Sequence, residues 1–249
     1  MLGAFVGLAL SAYFGMPYWA VLLISVAVLA VFGFFTERLI LRPTLGQPAF
    51  AVVMVTIGVG YLSRGLITMI PGIGTDTHVL EVPFKDKMFA LGGLAIGAEH
   101  VVIIATSVVL CALLFGLFRH TRNGIAMQAA SQNQLAAHYM RIPVKRLNGL
   151  IWATSAGVAA VAGILLAPIT FVHVNMGFIG LKAFPAAVIG GFESLPGAII
   201  GGLIIGIVES LAGFYLPEGF KDVAAYVVVL AMLMVKPNGL FGEKIRKRV

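Results

Sequence analysis

Two ionisable side chains lie inside long apolar runs of this 249-residue chain, and they are the first candidates for chemistry. Arg64 occurs in GYLSRGLI and Glu209 in GIVESLAG. Charged groups within membrane spans are costly and by default indicate function, for example in proton relays. A relay needs a chain of such groups, which the sequence does not provide. Both residues fall near the expected outer ends of their runs, where long side chains reach the interface, so we expect structural or interfacial roles.

The other chemistry-bearing residues form no recognisable enzyme motif. His100, His120, His138 and His173 are scattered, without the spacing of metal ligands. The sequence has no Walker A motif, no GxSxG and no paired carboxylates. We therefore expect no catalytic site, no metal, no cofactor and no nucleic-acid partner. If the protein does work that consumes energy, another polypeptide has to supply that energy.

The elements that carry these residues are apolar. Hydrophobic residues make up 60% of the chain and charged residues only 11%, against roughly 25% charged in soluble domains. Several apolar runs approach the ~20 residues that cross a bilayer as a helix. The runs are continuous rather than alternating, which favours helices over a barrel. The composition predicts an all-α polytopic membrane protein with about six to eight transmembrane or half-spanning helices.

One run is too short to cross the membrane and predicts a broken or re-entrant element near residues 183–197. Residues 183–191 would form about 14 Å of helix, and such breaks occur where transporters bind substrate; a tilted span is the alternative. Residues 36–48 and 168–182 are expected as connections, and 71–100 as a long loop with a short strand in THVLEVPF. The remaining runs are 3–14, which is also too short to span, 18–35, 49–70, 101–118, 150–167, 198–213 and 223–235.

Lys and Arg are distributed unevenly between the connections. Twelve of the 17 fall in 36–48, 119–149 and 236–249, four fall in 71–100, 168–182 and 214–222, and Arg64 lies within a run. Cytoplasmic loops carry the excess of positive charge. The sequence therefore predicts a cytoplasmic C-terminus, a cytoplasmic central connection and an outward-facing loop 71–100.

The central connection, RNGIAMQAASQNQLAAHYMRIPVKR, is polar and contains no acid. We call residues 122–143 the polar segment. Its Ala, Gln and Met residues favour a helix from Gly124 to Met140, ended by Pro143. A basic helix lying on anionic headgroups is one interpretation. The uncharged centre SQNQ, with basic residues only at its flanks, instead favours docking into a groove of another protein.

Glycines and scattered polar residues give two weaker predictions. Gly197 and Gly201, and likewise Gly202 and Gly206, are four residues apart, a spacing that lets helices approach closely. We expect this glycine-rich region to pack within the protein or against a second subunit; its packing residues are Gly190, Gly191, Gly197, Gly201, Gly202 and Gly206. The candidate pore-lining residues, chosen by their polarity and their expected depth in the membrane, are Thr154, Ser155, Thr170 and Asn175.

The chain resembles the LivH-type permease subunit of branched-chain amino acid ABC importers, from about Met1 to Gly242. The most specific matching stretch is KAFPAAVIGGFESLPGAIIGGLIIGIVESL at 182–211. The other matching stretches are MLGAFVGLAL at the start, ERLILRP at 37–43, RNGIAMQAA at 122–130, AGVAAVAGILLAP at 156–168, FKDV at 220–223 and KPNGLFG at 236–242.

The resemblance implies a multi-pass permease domain over 1–249 in the bacterial inner membrane. It implies ABC ATPase subunits, a second permease subunit and an extracytoplasmic substrate-binding protein as partners, besides the lipid bilayer. It also implies that 122–143 is the coupling helix region that contacts the ATPase. The residues expected to make this contact are Gly124, Ala126, Ala129, Ala130, Gln132, Asn133, Ala136, Ala137 and Arg141.

The chain departs from the family's pattern in two ways. The family usually carries a further helix upstream of the position of Met1, so we expect that the N-terminal helix is missing here. Its coupling helix commonly has an acidic pair where Gln132 and Asn133 stand, and a glycine where Arg141 stands. Three alternatives to a branched-chain amino acid permease stay open: a urea or short-amide permease, an ATP-independent secondary carrier, and a truncated permease that does not transport.

Overall fold

The computed structural model of the chain describes residues 1–44, 46–85, 87–91, 94–132, 134–191, 194–217 and 219–242. Within these ranges five helices are long and apolar enough to cross a membrane, and three shorter apolar helices accompany them. The five are Tyr18–Thr44, Phe50–Thr68, Ala98–His120, Val144–Thr170 and Leu195–Tyr215. The shorter ones are Leu2–Phe14, Val174–Gly190 and Val223–Val235. The predicted all-α polytopic fold is confirmed.

Helices account for most of the described chain, with one small hairpin. The helices are α1 (Leu2–Phe14), α2 (Tyr18–Thr36), α3 (Ala49–Thr68), α4 (Ala98–His120), α5 (Arg122–Gln132), α6 (Gln134–Tyr139), α7 (Val144–Thr170), α8 (Ala183–Gly190), α9 (Leu195–Tyr215) and α10 (Phe220–Val235). The hairpin strands are β1 (Met88–Leu91) and β2 (Leu94–Gly97). A π-helical turn (Glu37–Leu41) and two 3-10 helices (Arg42–Thr44 and Val174–Lys182) complete the secondary structure.

The chain divides into two compact units, Met1–Met176 and Gly177–Val249. In the first unit α7 packs along α1 and α2. Small residues allow this close approach: a Cβ built at Gly33 would lie 2.6 Å from the carbonyl oxygen of Trp152, and one at Gly3 would lie 2.6 Å from Cα of Ala160. Close backbone packing over small residues is the usual way in which membrane helices associate.

The second unit consists of α8, α9 and α10, which pack on one another. Its buried cluster is formed by side chains from all three helices: Val188, Ile189, Ile205, Ala225 and Val229. The chain after α10 turns back onto the end of α8. There the backbone N–H of Leu240 donates to the carbonyl oxygen of Ile189 at 2.8 Å, and that of Phe241 donates to Gly190 at 3.1 Å. The C-terminal carbonyls of α8, which lack partners within the helix, are satisfied in this way.

Two expected connections are helical instead. Residues 36–48 were expected as a polar connection, but α2 continues directly into the π-helical turn and the 3-10 helix that ends at Thr44. Pro168 was expected to start a loop, whereas α7 continues through it to Thr170. Pro168 is the third residue from the end of α7, so the backbone hydrogen bond that it removes belongs to the last turn, where the disruption is small.

The strand expected in THVLEVPF is wrong in position. From that stretch, His78 forms an isolated antiparallel bridge to Val172, with backbone hydrogen bonds of 3.0 and 2.8 Å. The regular strands come later, where Met88 pairs with Gly97 and Phe89 with Ile96. The sequence of this stretch does not contain the partner that a strand needs.

The short element near residues 183–197 is present as α8, whose eight residues amount to about 12 Å of helix. It does not follow a loop, as expected for 168–182, because the 3-10 helix Val174–Lys182 leads directly into it. The chain therefore changes from a 3-10 helix to an α-helix after Lys182, and the α-helix is ended by Gly191, which has a φ of 98°. That angle is unfavourable for residues with a Cβ.

Candidate functional site

The polar segment begins with a sharp reversal at the end of α4. Thr121 is extended, its hydroxyl accepts from the N–H of Gly124 at 3.0 Å, and the same hydroxyl donates to the carbonyl oxygen of Leu117 at 2.6 Å. A Cβ at Gly124 would overlap the carbonyl oxygen of Leu117 and lie 2.6 Å from Cα of Phe118. The RNG sequence thus starts α5 directly against the last turn of α4.

The polar segment contains α5 and α6, and both helices fall in the stretch where a helix was expected, from Gly124 to Met140. The inner faces of the two helices pack on the start of α7. Met127, Ala130 and Ala137 form a buried cluster with Leu147 of α7. Asn133, one of the expected ATPase contacts, lies outside the described residues.

The opposite face of the polar segment is exposed and includes large apolar side chains. Ile125 is 55% exposed, and Tyr139 and Met140 are each 78% exposed. The expected contact residues divide between the two faces: Gly124, Ala130 and Ala137 are buried, Ala126 is half-buried, and the exposed ones are Ala129, Gln132, Ala136 and Arg141. Buried residues hold the polar segment against the first unit, and the exposed ones leave a surface that another protein can contact.

Arg141 ends α6 in a left-handed conformation, with a φ of 58°. The N–H of Ile142 reaches back to the carbonyl oxygen of Ala137 at 3.0 Å, and Ile142 packs against the buried cluster that includes Ala137. A six-to-one hydrogen bond with this apolar contact is the Schellman ending of a helix, whose left-handed position normally carries glycine. Arg141 occupies that position at a conformational cost.

The two glycine pairs of the glycine-rich region have different surroundings. Gly201 faces Ala186 and Gly197 faces Gly190, so closely that a Cβ at either position would overlap a backbone oxygen of α8. A Cβ at Gly191 would lie 2.7 Å from the backbone nitrogen of Gly242. In contrast, no heavy atom of the described chain lies within 4 Å of a Cβ built at Gly202 or Gly206. The pair Gly197 and Gly201 thus lies at the α8–α9 contact, and the pair Gly202 and Gly206 does not.

The four candidate pore-lining residues do not come together in one site. Thr154 and Thr170 donate their hydroxyls to carbonyl oxygens of α7, at 2.9–3.0 Å, and they are separated by about 24 Å along the helix. Ser155 is exposed. Asn175 accepts a hydrogen bond from the guanidinium of Arg64, which ties the end of α3 to the chain after α7.

A cavity in the first unit is lined by other residues than these four. It has a volume of about 310 Å³ and lies among α1, α2, α3 and α7. Its hydroxyl groups belong to Thr36, Thr56 and Ser63, and Gly60 forms part of its wall. The rest of the lining is mainly aliphatic and aromatic, with no charged side chain. Sequence reasoning missed these hydroxyls because Thr36 was placed in a connection and Thr56 and Ser63 lie in an apolar run.

Glu209 forms an ion pair with Lys182, with 3.0 Å between Nζ and Oε1. Both side chains are largely buried, with exposures of 16% and 25%. The pair connects the residue before α8 to α9 inside the second unit. Pairing is the usual way in which a charge is tolerated within a membrane segment, and it agrees with the structural role expected for Glu209.

Sequence reasoning also missed Glu37, which it placed in a polar connection. The side chain is only 4% exposed and starts the π-helical turn after α2. A signal was present, because no Gly or Pro separates Glu37 from the preceding apolar run, so that the helix can carry it into packed surroundings.

Comparison with known proteins identifies the family. A family model described as "Branched-chain amino acid transport system / permease component" matches residues 1–236. The chain belongs to this permease family. Membership confirms the resemblance seen in the sequence and agrees with the apolar helices of a multi-pass membrane protein.

Similar proteins carry the names of transport permeases. The branched-chain amino acid permease LivH of Escherichia coli (strain K12) is 30% identical over 227 residues, covering 88% of this chain and 72% of LivH. BraD of Pseudomonas aeruginosa is 27% identical over 256 residues, covering 96% of this chain and 81% of BraD. The fructose import permease FruG of Bifidobacterium longum is 29% identical over 255 residues, covering 94% of this chain and 71% of FruG. No solved structure matches the chain significantly.

Proposed function

We propose that this chain is the membrane-spanning subunit of an ABC importer for branched-chain and other hydrophobic amino acids, driven by a separate ATPase. The observation that carries the proposal is the two-sided polar segment. Its inner face is anchored on Leu147 of α7, while Ile125, Tyr139 and Met140 remain exposed on a connection that lies between two spans. A helix that is held in place by one face and exposes apolar groups on the other is typical of a surface that docks into a groove.

The distribution of charge supports a cytosolic location for the polar segment. The connection that contains the polar segment and the two that would share its side of the membrane together carry twelve of the 17 Lys and Arg residues, and cytoplasmic loops carry the positive excess. In this orientation the ATPase meets the polar segment, the C-terminus is cytoplasmic, and the extracytoplasmic binding protein approaches the loop 71–100. A second permease subunit completes the pathway.

The cavity in the first unit supports a hydrophobic cargo. Its wall offers alkyl groups and a few hydroxyls and presents no charged side chain. The aliphatic part of this wall matches the side chain of a leucine-like amino acid, a group that urea, short amides and fructose lack. The ammonium and carboxylate groups of the amino acid need polar partners, and the hydroxyls of the cavity are the polar side chains it offers.

The proposal is tested with the chain co-expressed with its cognate ATPase, partner permease and binding protein, then reconstituted in proteoliposomes. We expect ATP-dependent uptake of leucine, and co-purification of the ATPase with the permease. Deletion of residues 126–140 should abolish both. Full coupling of ATP hydrolysis to uptake after that deletion would contradict the proposal.

Competing functions give different results in the same vesicles. Uptake that survives ATP depletion and collapses with the proton gradient would favour a secondary carrier; the Lys182–Glu209 ion pair argues against that carrier, since the acid already has a counter-ion. Uptake of urea, acetamide or fructose in place of leucine would retain the ABC importer and change its cargo. No uptake of any of these solutes, with the ATPase bound, would indicate a permease that does not transport.

A further inference from the structure

Glu37 is a buried carboxylate at an irregular point of the helical framework. It is 4% exposed and is the first residue of the π-helical turn Glu37–Leu41. π-Helical turns are uncommon, and they occur frequently at functional sites. A buried carboxyl group at the start of a π-helical turn calls for an explanation beyond packing.

The carboxylate faces the second turn of α7. Its Oε2 would lie 3.4 Å from a Cβ built at Gly149. Beside it lies a cavity of about 80 Å³ whose wall includes Glu37, Asn148 and Trp152. The amide of Asn148 and the indole of Trp152 both carry N–H donors. Among the described residues no ion pair to Glu37 is formed, so the carboxylate meets α7 without a neutralising cation.

The first two turns of α7 are therefore held on two faces. Leu147 is buried among Met127, Ala130 and Ala137 of the polar segment. Two residues further, Gly149 faces Phe34 and Glu37 at the end of α2. Residues two apart on a helix point about 200° away from each other. A displacement of the polar segment thus pushes α7 from one side, while the Glu37 turn meets it on the other.

We propose that Glu37 is the positioning residue through which movement of the polar segment is transmitted from α7 to α2. This inference rests on the proposed function, in which an ATPase moves the polar segment. The π-helical turn is the part of this contact that yields, and the Glu37 carboxyl group shares the small cavity with the amide of Asn148 and the indole of Trp152 on α7. Hydrogen bonds to a carboxylate are about twice as strong as neutral ones, so a neutral side chain of equal shape at residue 37 should hold these N–H groups less firmly when α7 moves.

The experiment compares wild type and Glu37→Gln in the full complex with ATPase, partner permease and binding protein. The measured quantity is the number of leucine molecules taken up per ATP hydrolysed in proteoliposomes. We expect Glu37→Gln to lower this ratio about tenfold, which corresponds to ~1.4 kcal/mol, while ATPase co-purification and the rate of ATP hydrolysis stay unchanged. Glu37→Asp, which keeps the charge, should recover part of the ratio.

A second pair of variants approaches the same contact from α7. A Cβ at Gly149 would lie 2.9 Å from the ring of Phe34, so Gly149→Ala has to displace this contact. Gly157 lies on the same interface between α2 and α7, but its nearest neighbour, Val26, would be at 3.4 Å, an ordinary contact. We expect Gly149→Ala to lower the ratio of uptake to hydrolysis and Gly157→Ala to leave it unchanged.

The outcomes separate this inference from the proposed function. An unchanged ratio in both Glu37→Gln and Gly149→Ala overturns the inference, as does equal loss of uptake, hydrolysis and ATPase co-purification, which would indicate a purely structural role. If Glu37→Gln does not accumulate in the membrane, the ratio of leucine uptake to ATP hydrolysis in Glu37→Asp, Gly149→Ala and Gly157→Ala tests the inference instead. Absence of ATP-dependent leucine uptake in the wild-type complex would instead count against the proposed function.

Discussion

Gly124 packs directly on Leu117, so that a Cβ at Gly124 would overlap the carbonyl oxygen of Leu117. This contact lets α5 start immediately after α4 and turn its inner face towards α7. The docking surface of the polar segment thus depends on one residue without a side chain.

We predict that Gly124→Ala destabilises the first unit by about 1–3 kcal/mol, as expected for an extra methyl group in a tightly packed place. The measurement is thermal unfolding of the purified chain in detergent, together with ATPase co-purification. Gly116→Ala is the matched control, because it lies on α4 and a Cβ there meets no described atom within 4 Å. Equal stability of the two variants would contradict the prediction.

Ala129 lies on the exposed face of the polar segment. We predict that Ala129→Asp weakens binding of the ATPase at least about tenfold, or ~1.4 kcal/mol, because an unpaired carboxylate would be buried on docking. Ser131→Asp adds the same charge about 200° around the helix and should change the affinity little. Affinity is measured by titrating labelled ATPase onto permease in nanodiscs. A larger loss for Ser131→Asp would show that another face binds.

Arg141→Gly should stabilise the chain by about 1 kcal/mol, since glycine adopts the left-handed conformation without steric cost. Arg141→Val should destabilise it, because β-branched residues are especially unfavourable at positive φ. Denaturant unfolding of the three proteins at one pH checks the order. Lower stability of Arg141→Gly than of the wild type would mean that the guanidinium contributes more than the backbone strain costs.

In the second unit, Gly239 has a φ of 77°, and a Cβ there would lie 2.7 Å from Cα of Gly191. We predict that Gly239→Ala costs about 2 kcal/mol or more, from overpacking and backbone strain together. Faster hydrogen exchange of the Leu240 and Phe241 amides would report the loss, because these amides hold the end of α8. Gly202→Ala is the control, as its Cβ would be unobstructed. Unchanged exchange in Gly239→Ala would contradict the role of this contact.

Gly60 and Gly58 test whether the cavity of the first unit belongs to the transport path. Both lie on α3, and a Cβ at either meets no described atom within 4 Å, but only Gly60 lines the cavity. We predict that Gly60→Leu fills the cavity and lowers leucine uptake about tenfold or more, which corresponds to ~1.4 kcal/mol. Gly58→Leu should have little effect. The measurement is leucine uptake in proteoliposomes. Similar uptake by both variants would place the path elsewhere.

Much of the fold follows from continuous apolar runs, because a bilayer requires each span to satisfy its own backbone. The starts of α2 and α3 agree with the run boundaries for this reason. Other features depend on contacts that a linear pattern does not contain. Pro168 was interpreted as a break because the pattern does not show that it lies in a final turn, and Glu37 was placed in a connection because its burial depends on α7.

The candidate site was predictable in part. Ile125, Ala129, Ala136 and Met140 recur near helical spacing, and all four lie on the exposed face. The burial of Ala130 and Ala137 depends on the position of Leu147 and could not be derived from spacing. The pore-lining candidates were selected by polarity alone, and in the structure Thr154 and Thr170 bond to their own helix.

The central claim is that the polar segment is a cytosolic surface held by an ATPase. Cys111 is the only cysteine, so Met140→Cys in a Cys111→Ser background carries a single thiol. We predict that a membrane-impermeant maleimide labels it only in inverted vesicles, and that bound ATPase protects it, whereas Val79→Cys in the loop 71–100 is labelled from the outside. Labelling of residue 140 in intact cells would contradict the account.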